Sequence, residues 1–333
     1  MSRRTDLLRV MRGEAAQGVP VVPLLGAFSA KLVGHPVGRC LADTGLQAEA
    51  QVAAVEALAP DAIFPFMDLS AEAEALGAQV RRPGEGAPEI SRPVESDALL
   101  GALGQRDTSA GRLPVFTETV RLLSARVGRE CAVGAYVSGP WTLVATALGL
   151  GPAARLLRRD RETAARLIEA AARFGAALAA DSSSAGADLV MVLEPCVAGG
   201  IMSPTDFTVL VRPALDEMLS QSRRCGPLPV LHICGDAKGV LSLLGPLAEY
   251  GLSVDAPVEL PYAAQHLHEG AALWGNVNPV EVLMRGTPED VTVHCRRCMG
   301  AMAKRGGFVL ASGCEVPPHA PLGNVRAMVE AAR

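Results

Sequence analysis

Pro229-Val-Leu-His-Ile-Cys-Gly235 reads as a short apolar strand running into a turn. Side chains on a strand alternate between its faces, so His232 and Cys234 point the same way. Both stand at the strand's C-terminal end. Seven other short runs share its character: 21–25, 62–66, 132–137, 189–193, 252–256, 272–277 and 307–312. All are rich in Val, Leu and Ile and mostly uncharged, as strands buried on both faces are. Between them lie stretches with apolar residues at three- and four-residue spacing, such as 46–58, 153–180, 204–224, 239–250 and 280–305. Ser203 before Pro204 suits an N-cap with proline at the first helical position, and the last helix begins near Pro321.

Eight strand–helix alternations imply parallel pairing through right-handed crossovers. The fold class is therefore α/β, and eight units can close into a (β/α)₈ TIM barrel. An open doubly wound sheet is the alternative, but no Gly-x-Gly-x-x-Gly follows the first strand. The chain of 333 residues is ordinary for one barrel spanning residues 1–333 as a single domain. Residues 77–93 are rich in Pro and Gly and read as an excursion after the second strand, a hairpin or lid.

Composition narrows the function. Hydrophobic residues make up 49% of the chain and aromatics only 4%, so a large core is built from Ala, Val, Leu and Ile. A net charge of −4 argues against a nucleic-acid partner. The start, Met-Ser-Arg-Arg, is followed by no apolar segment resembling a signal peptide, and no run is long enough to span a membrane. A cytoplasmic location is expected, so the eight cysteines read as thiols, core residues or metal ligands rather than disulfides.

In a barrel, active sites are built at the C-terminal ends of the strands. His232 and Cys234 would supply half of a zinc site there. The run Gly306-Gly-Phe-Val-Leu-Ala-Ser-Gly-Cys314 brings a second thiol, Cys314, to the same rim. Three protein ligands leave one tetrahedral position open, as in catalytic zinc sites. Two thiolates make the metal a weak Lewis acid toward water while keeping a bound thiol nucleophilic, which suits alkyl transfer to sulfur. Buried core cysteines and a hydrogen-bonded core histidine have the same spacing, so spacing alone leaves both readings open.

The chain resembles the uroporphyrinogen decarboxylase superfamily, and within it the methylcobamide:coenzyme M methyltransferase branch. The resemblance rests on Pro65-Phe-Met-Asp-Leu-Ser-Ala-Glu-Ala-Glu-Ala-Leu-Gly77, Ser138-Gly-Pro-Trp-Thr-Leu143, His232-Ile-Cys-Gly235, Gly275-Asn-Val-Asn-Pro279, and Gly313-Cys314 followed by Pro317, Pro318 and Asn324. It implies zinc held by His232, Cys234 and Cys314. It also implies a small thiol activated on that zinc, and methylcobalamin or another corrinoid as methyl donor or acceptor. The corrinoid would come from a separate corrinoid protein docked on the rim that includes residues 77–93.

Two departures stand out. Glu315 follows the late cysteine where the family often has a small residue, and Glu194-Pro195 stands where relatives often carry Asp-Pro. Glu194 is a candidate fourth ligand displaced by substrate, or a hydrogen-bonding carboxylate. Tyr136, Asp255 and Asn276 are candidates to orient ligands or substrate, and Met67 and Asp68 to line the pocket.

Relatives with the same motif also run the reverse half-reaction. They are demethylases that pass a methyl from an ether or amine to cobalt(I), so a methylated small molecule is the alternative substrate. The metal-free decarboxylase is the sibling reading, but only Lys31 and Arg39 follow the first strand, with no arginine-rich signature for a polycarboxylate. A structural zinc in a non-catalytic partner of a corrinoid pathway would need a fourth protein ligand. His294-Cys-Arg-Arg-Cys298, His266, His268 and Cys196 read as packed or surface residues.

Overall fold

The structure, a computed structural model, describes residues 2–81, 88–200 and 202–333. Eight parallel strands form the barrel: β1 Val21–Val22, β2 Ala62–Ile63, β3 Ala132–Ser138, β4 Leu189–Leu193, β5 Leu228–Ile233, β6 Gly251–Val254, β7 Leu273–Val277 and β8 Phe308–Ser312. The ladder runs continuously from β2 through β3 to β8 and on to β1. The seam between β1 and β2 is closed by one residue. The Asp61 N–H donates to the Val21 carbonyl at 3.0 Å, and the Val21 N–H donates to Asp61 Oδ2 at 2.6 Å. Arg333, at the end of the chain, also donates to Asp61.

The first two strands are shorter than the sequence runs 21–25 and 62–66 suggest. Pro23 and Pro65 interrupt them, and proline has no N–H to donate to a ladder. The Leu24 N–H, just past the first break, goes to Ser312 Oγ at 2.9 Å instead.

Side chains of alternate residues fill the barrel: Val22, Ala62, Ala132, Leu189, Met191, Val230, Trp274 and Ala311. The other faces of the strands pack on the helices, including the alanine-rich Arg161–Ser184. An N-terminal helix, Arg3–Met11, closes the end of the barrel opposite the mouth through Leu7, Leu8 and Val10. Its Arg4 forms a two-pronged bond to Asp188, the residue before β4.

Several expected helices are divided. The stretch 153–180 is two helices, Leu150–Arg159 and Arg161–Ser184, separated at Asp160, whose side chain caps the second. The stretch 280–305 is a π-turn at Pro279–Met284 and a helix at Pro288–Met302, which Thr287 and Asp290 start with a capping box. Ser203 does cap Asp206 N–H, but a π-turn at Phe207–Val211 precedes the helix Arg212–Cys225. The stretch 239–250 shrinks to a turn of helix, Lys238–Leu241, and a 3₁₀ turn, Gly245–Glu249. The excursion after β2 contains an antiparallel pair, Gln79–Arg81 with Glu89–Arg92; the reading of 77–93 as a lid falls partly on 82–87, which lie outside the described residues.

If Asp61 holds the seam, Asp61→Ala strands a buried Val21 N–H. Unfolding in urea should then show a loss of about 1–3 kcal/mol. A loss below about 0.5 kcal/mol would mean that packing alone closes the barrel.

Candidate metal centre

β5 and β8 deliver three donor atoms to the mouth. The nitrogen of His232 and the sulfurs of Cys234 and Cys314 all lie within 4.8 Å of one another. The two sulfurs are 3.7 Å apart. His232, one residue before the end of β5, is in register with Ser253 of β6, and its Nδ1 lies 2.9 Å from Ser253 Oγ. Its other nitrogen, Nε2, is buried and has no hydrogen-bond partner, in a residue only 2% exposed. Cys234 comes two residues later, just beyond the strand. Gly235 then turns the chain at φ +74°, a conformation that glycine adopts without steric cost.

Asp255, just past the end of β6, braces this turn. Its Oδ2 accepts from Gly235 N–H at 2.9 Å and lies 3.4 Å from Cys234 Sγ; its Oδ1 accepts from Ala256 N–H at 2.7 Å. Asn276, from β7, donates its amide to the backbone carbonyls of Asp255 and Val258, so it stands behind Asp255 rather than among the donor atoms. The two thiols are coupled. Cys234 donates to Cys314, which raises the Cys234 thiol above the usual range and lowers that of Cys314.

Tyr136, from β3, stacks on Phe64 with ring centroids 4.9 Å apart. Its hydroxyl is buried without a partner. Burial first, then the nearby charges of Glu315 and Cys314, push its ionisation well above the ordinary tyrosine range. The fully buried Glu194 turns to the helix Pro140–Leu148. It accepts from the N–H groups of Trp141 at 3.1 Å and Thr142 at 2.7 Å, and from the Thr142 hydroxyl. Both of its oxygens are thus engaged at a helix N-terminus, where a carboxylate is favoured.

Two contributors went unnoticed in the sequence. Ser253 is an ordinary strand serine until the register sets it opposite His232. Glu72 is buried, with one oxygen accepting from Ser138 N–H at 2.7 Å and the other without a partner. It shares a cavity wall with Asp68, Tyr136 and Ser138. Glu315 was visible as a departure, but not its position: it accepts from Ala27 N–H at 2.8 Å and from the Met67 backbone. Asp68 is bound by the buried Arg112, which also holds Glu74, and by Ser70. Cys295 and Cys298 are buried in the helix Pro288–Met302, and His266 packs edge-on against Tyr262.

Fold and cluster together define a (β/α)₈ barrel carrying a nitrogen–sulfur donor site at its C-terminal mouth. Residues 2–333 match the family described as uroporphyrinogen decarboxylase (URO-D), and the chain belongs to that family. It is 26% identical to methylcobamide:CoM methyltransferase of Methanosarcina acetivorans over 271 residues, covering 81% of this chain and 78% of the relative. It is 28% identical to a uroporphyrinogen decarboxylase of Streptomyces avermitilis over 265 residues, covering 78% and 72%. A solved methyltransferase from Methanosarcina mazei has the same fold, with a TM-score of 0.89 at 24% identity over 99% of this chain and 98% of that one. The relatives are thus enzymes of two kinds, methyltransferases and decarboxylases. No helix among the described residues is long and apolar enough to cross a membrane.

Burial pushes the carboxyls of Glu72 and Glu194 up to about 7, from an ordinary 4.5. A raised folded-state value means that the folded protein keeps these protons where the unfolded chain has lost them. Their contribution is complete below about pH 4.5 and is lost as the pH rises through 7. Urea denaturation should therefore show stability falling across this window, by up to about 3 kcal/mol for a fully buried group such as Glu194. Glu194→Gln should flatten the slope; an unchanged slope would refute the assignment.

Proposed function

We propose that this protein moves a methyl group between a corrinoid and a small thiol held on a zinc ion by His232, Cys234 and Cys314. The observation that carries the proposal is the orphaned, buried Nε2 of His232 beside two sulfurs 3.7 Å apart. Two thiolates each about 2.3 Å from one tetrahedral cation would stand about 3.8 Å apart, so the spacing of the two sulfurs suits zinc. Imidazole with thiolate is also the donor chemistry that zinc favours. Zinc bound there would supply the positive charge that keeps the acceptor's sulfur as a thiolate at neutral pH.

The chain's own residues do the remaining work. Ser253 fixes the His232 ring through Nδ1, which leaves Nε2 as the donor. Asp255 and Asn276 hold the turn that carries Cys234. Tyr136 keeps a buried hydroxyl without a partner that feels the charge of Cys314, and Glu194 fixes the helix Pro140–Leu148 after β3. The corrinoid would be presented by a separate protein at the rim. The thiol named for the Methanosarcina acetivorans relative is CoM.

The metal-free decarboxylase reading gains nothing from the mouth. A polycarboxylate needs cations, and the buried Arg112 is already bound to two carboxylates.

Zinc analysis and the corrinoid spectrum test the proposal together. The purified protein should bind one zinc per chain, and methylcobalamin should be demethylated only when a thiol is added. Cys314→Ala should lose both the metal and this reaction. Ser253→Ala should keep the fold and weaken zinc binding about 10- to 100-fold. Methylation of cobalt(I) by an ether or amine, with no thiol turnover, would reverse the direction of transfer; a protein that binds no metal would end the proposal.

A further inference from the structure

Glu72, on the short helix Ser70–Ala75, is 6% exposed and only half satisfied. Its Oε1 accepts from Ser138 N–H at 2.7 Å, while its Oε2 is buried without a partner. The Ser138 hydroxyl faces the same carboxyl and is likewise buried without a partner. Both residues line one cavity of about 40 Å³. It is bounded by the loop after β2, by β3 and β4, and by the helices Leu113–Val127 and Arg161–Ser184. None of the three metal-site donor residues lines it.

A water-sized group needs about 10–15 Å³ of such space, so the cavity admits about three. Its walls are apolar at Phe116, Val120 and Leu178, and the polar atoms left over are mostly acceptors. Ser182 has already donated its hydroxyl hydrogen, to the Leu178 carbonyl at 2.9 Å. Asp68, which accepts from Ser70 and Arg112, adds a second carboxylate to the wall. Among the described residues no Lys, Arg or His lines the cavity, and Arg112 is committed to Asp68, Glu74 and Ser70. Buried polar atoms are rarely left without a partner, because each has given up water for nothing in return. The occupant that matches this wall is a hydrogen-bond donor on a short apolar body. An anion would find no counter-charge, and an alcohol supplies one hydrogen where several acceptors wait. An amine fits whichever partner holds the proton, since ammonium with carboxylate and amine with carboxylic acid carry the same net charge. Burial holds the Glu72 proton up to about pH 7, so both forms are open to it near neutrality.

We propose that this cavity is a second ligand site, which takes a primary amine of one or two carbons with its nitrogen between Glu72 Oε2 and Ser138 Oγ. The site is lined by none of the metal-centre donors, and it stands or falls independently of the thiol reading above.

The backbone amide of Ser138 is the reporter, because its N–H bonds Glu72 Oε1. Its resonance in ¹H–¹⁵N spectra of the full chain is followed at neutral pH while ethylammonium chloride is added, with sodium chloride at equal ionic strength as the blank. The shift should saturate with a Kd on the order of 1–10 mM, within the ceiling on binding by three heavy atoms. Ethanol, of the same size, and tert-butylammonium, with the same head on a bulkier body, should bind at least about tenfold more weakly. Glu72→Gln keeps an acceptor for the Ser138 N–H but can neither carry charge nor exchange a proton, and should weaken ethylammonium at least about tenfold. No saturable shift up to about 100 mM, or equal responses to ethanol and ethylammonium, would overturn the proposal in the wild type without any variant. An unchanged affinity in a folded Glu72→Gln protein would overturn it as well.

Discussion

Everything at the mouth depends on eight strands lying parallel around one closed ring. Parallel pairing puts every C-terminal strand end on one rim, so residues far apart in the chain meet without any local signal that they should. His232 lies in β5 and Cys314 just past the end of β8, with two strands between them, and their donor atoms still lie within 4.8 Å of those of Cys234. The ring is weakest where β1 and β2 are cut short by Pro23 and Pro65. There Asp61 supplies both a backbone and a side-chain bond in place of a ladder.

The second constraint is the cost of burying charge. This barrel buries several carboxylates, and each is braced by backbone N–H groups that it meets through tertiary folding. Glu194 serves the helix after β3, Glu72 the end of β3, Asp255 the turn that carries Cys234, and Glu315 the loops after β1 and β2. These bonds tie the βα loops to one another, so the mouth is stiffened by the same groups that make it acidic. Desolvation still prevails for Glu72, Glu194 and Glu315, whose protons are held up to about pH 7.

Much of the fold was legible in the sequence. The eight apolar runs at 21–25 through 307–312 each hold a barrel strand, because strands buried on both faces must be apolar throughout. The boundaries were less legible. Periodicity does not mark where a π-turn interrupts 204–224, or that Asp160 ends one helix and caps the next. The sealing helix Arg3–Met11 was also missed, since a short charged segment becomes a helix here by covering Leu189, Trp274 and their neighbours.

What the sequence by itself determined is the alternation that demands a parallel α/β fold, and the residue types, one imidazole and two thiols, placed at strand ends. Only the tertiary structure decided that Ser253 backs His232, that Glu194 turns to a helix N-terminus, and that Glu315 reaches across to Ala27 through the space left by Gly26. The reason is physical. Apolar periodicity is local and can be read along the chain, whereas a hydrogen bond between strands or loops depends on register and on which groups burial leaves in want of a partner.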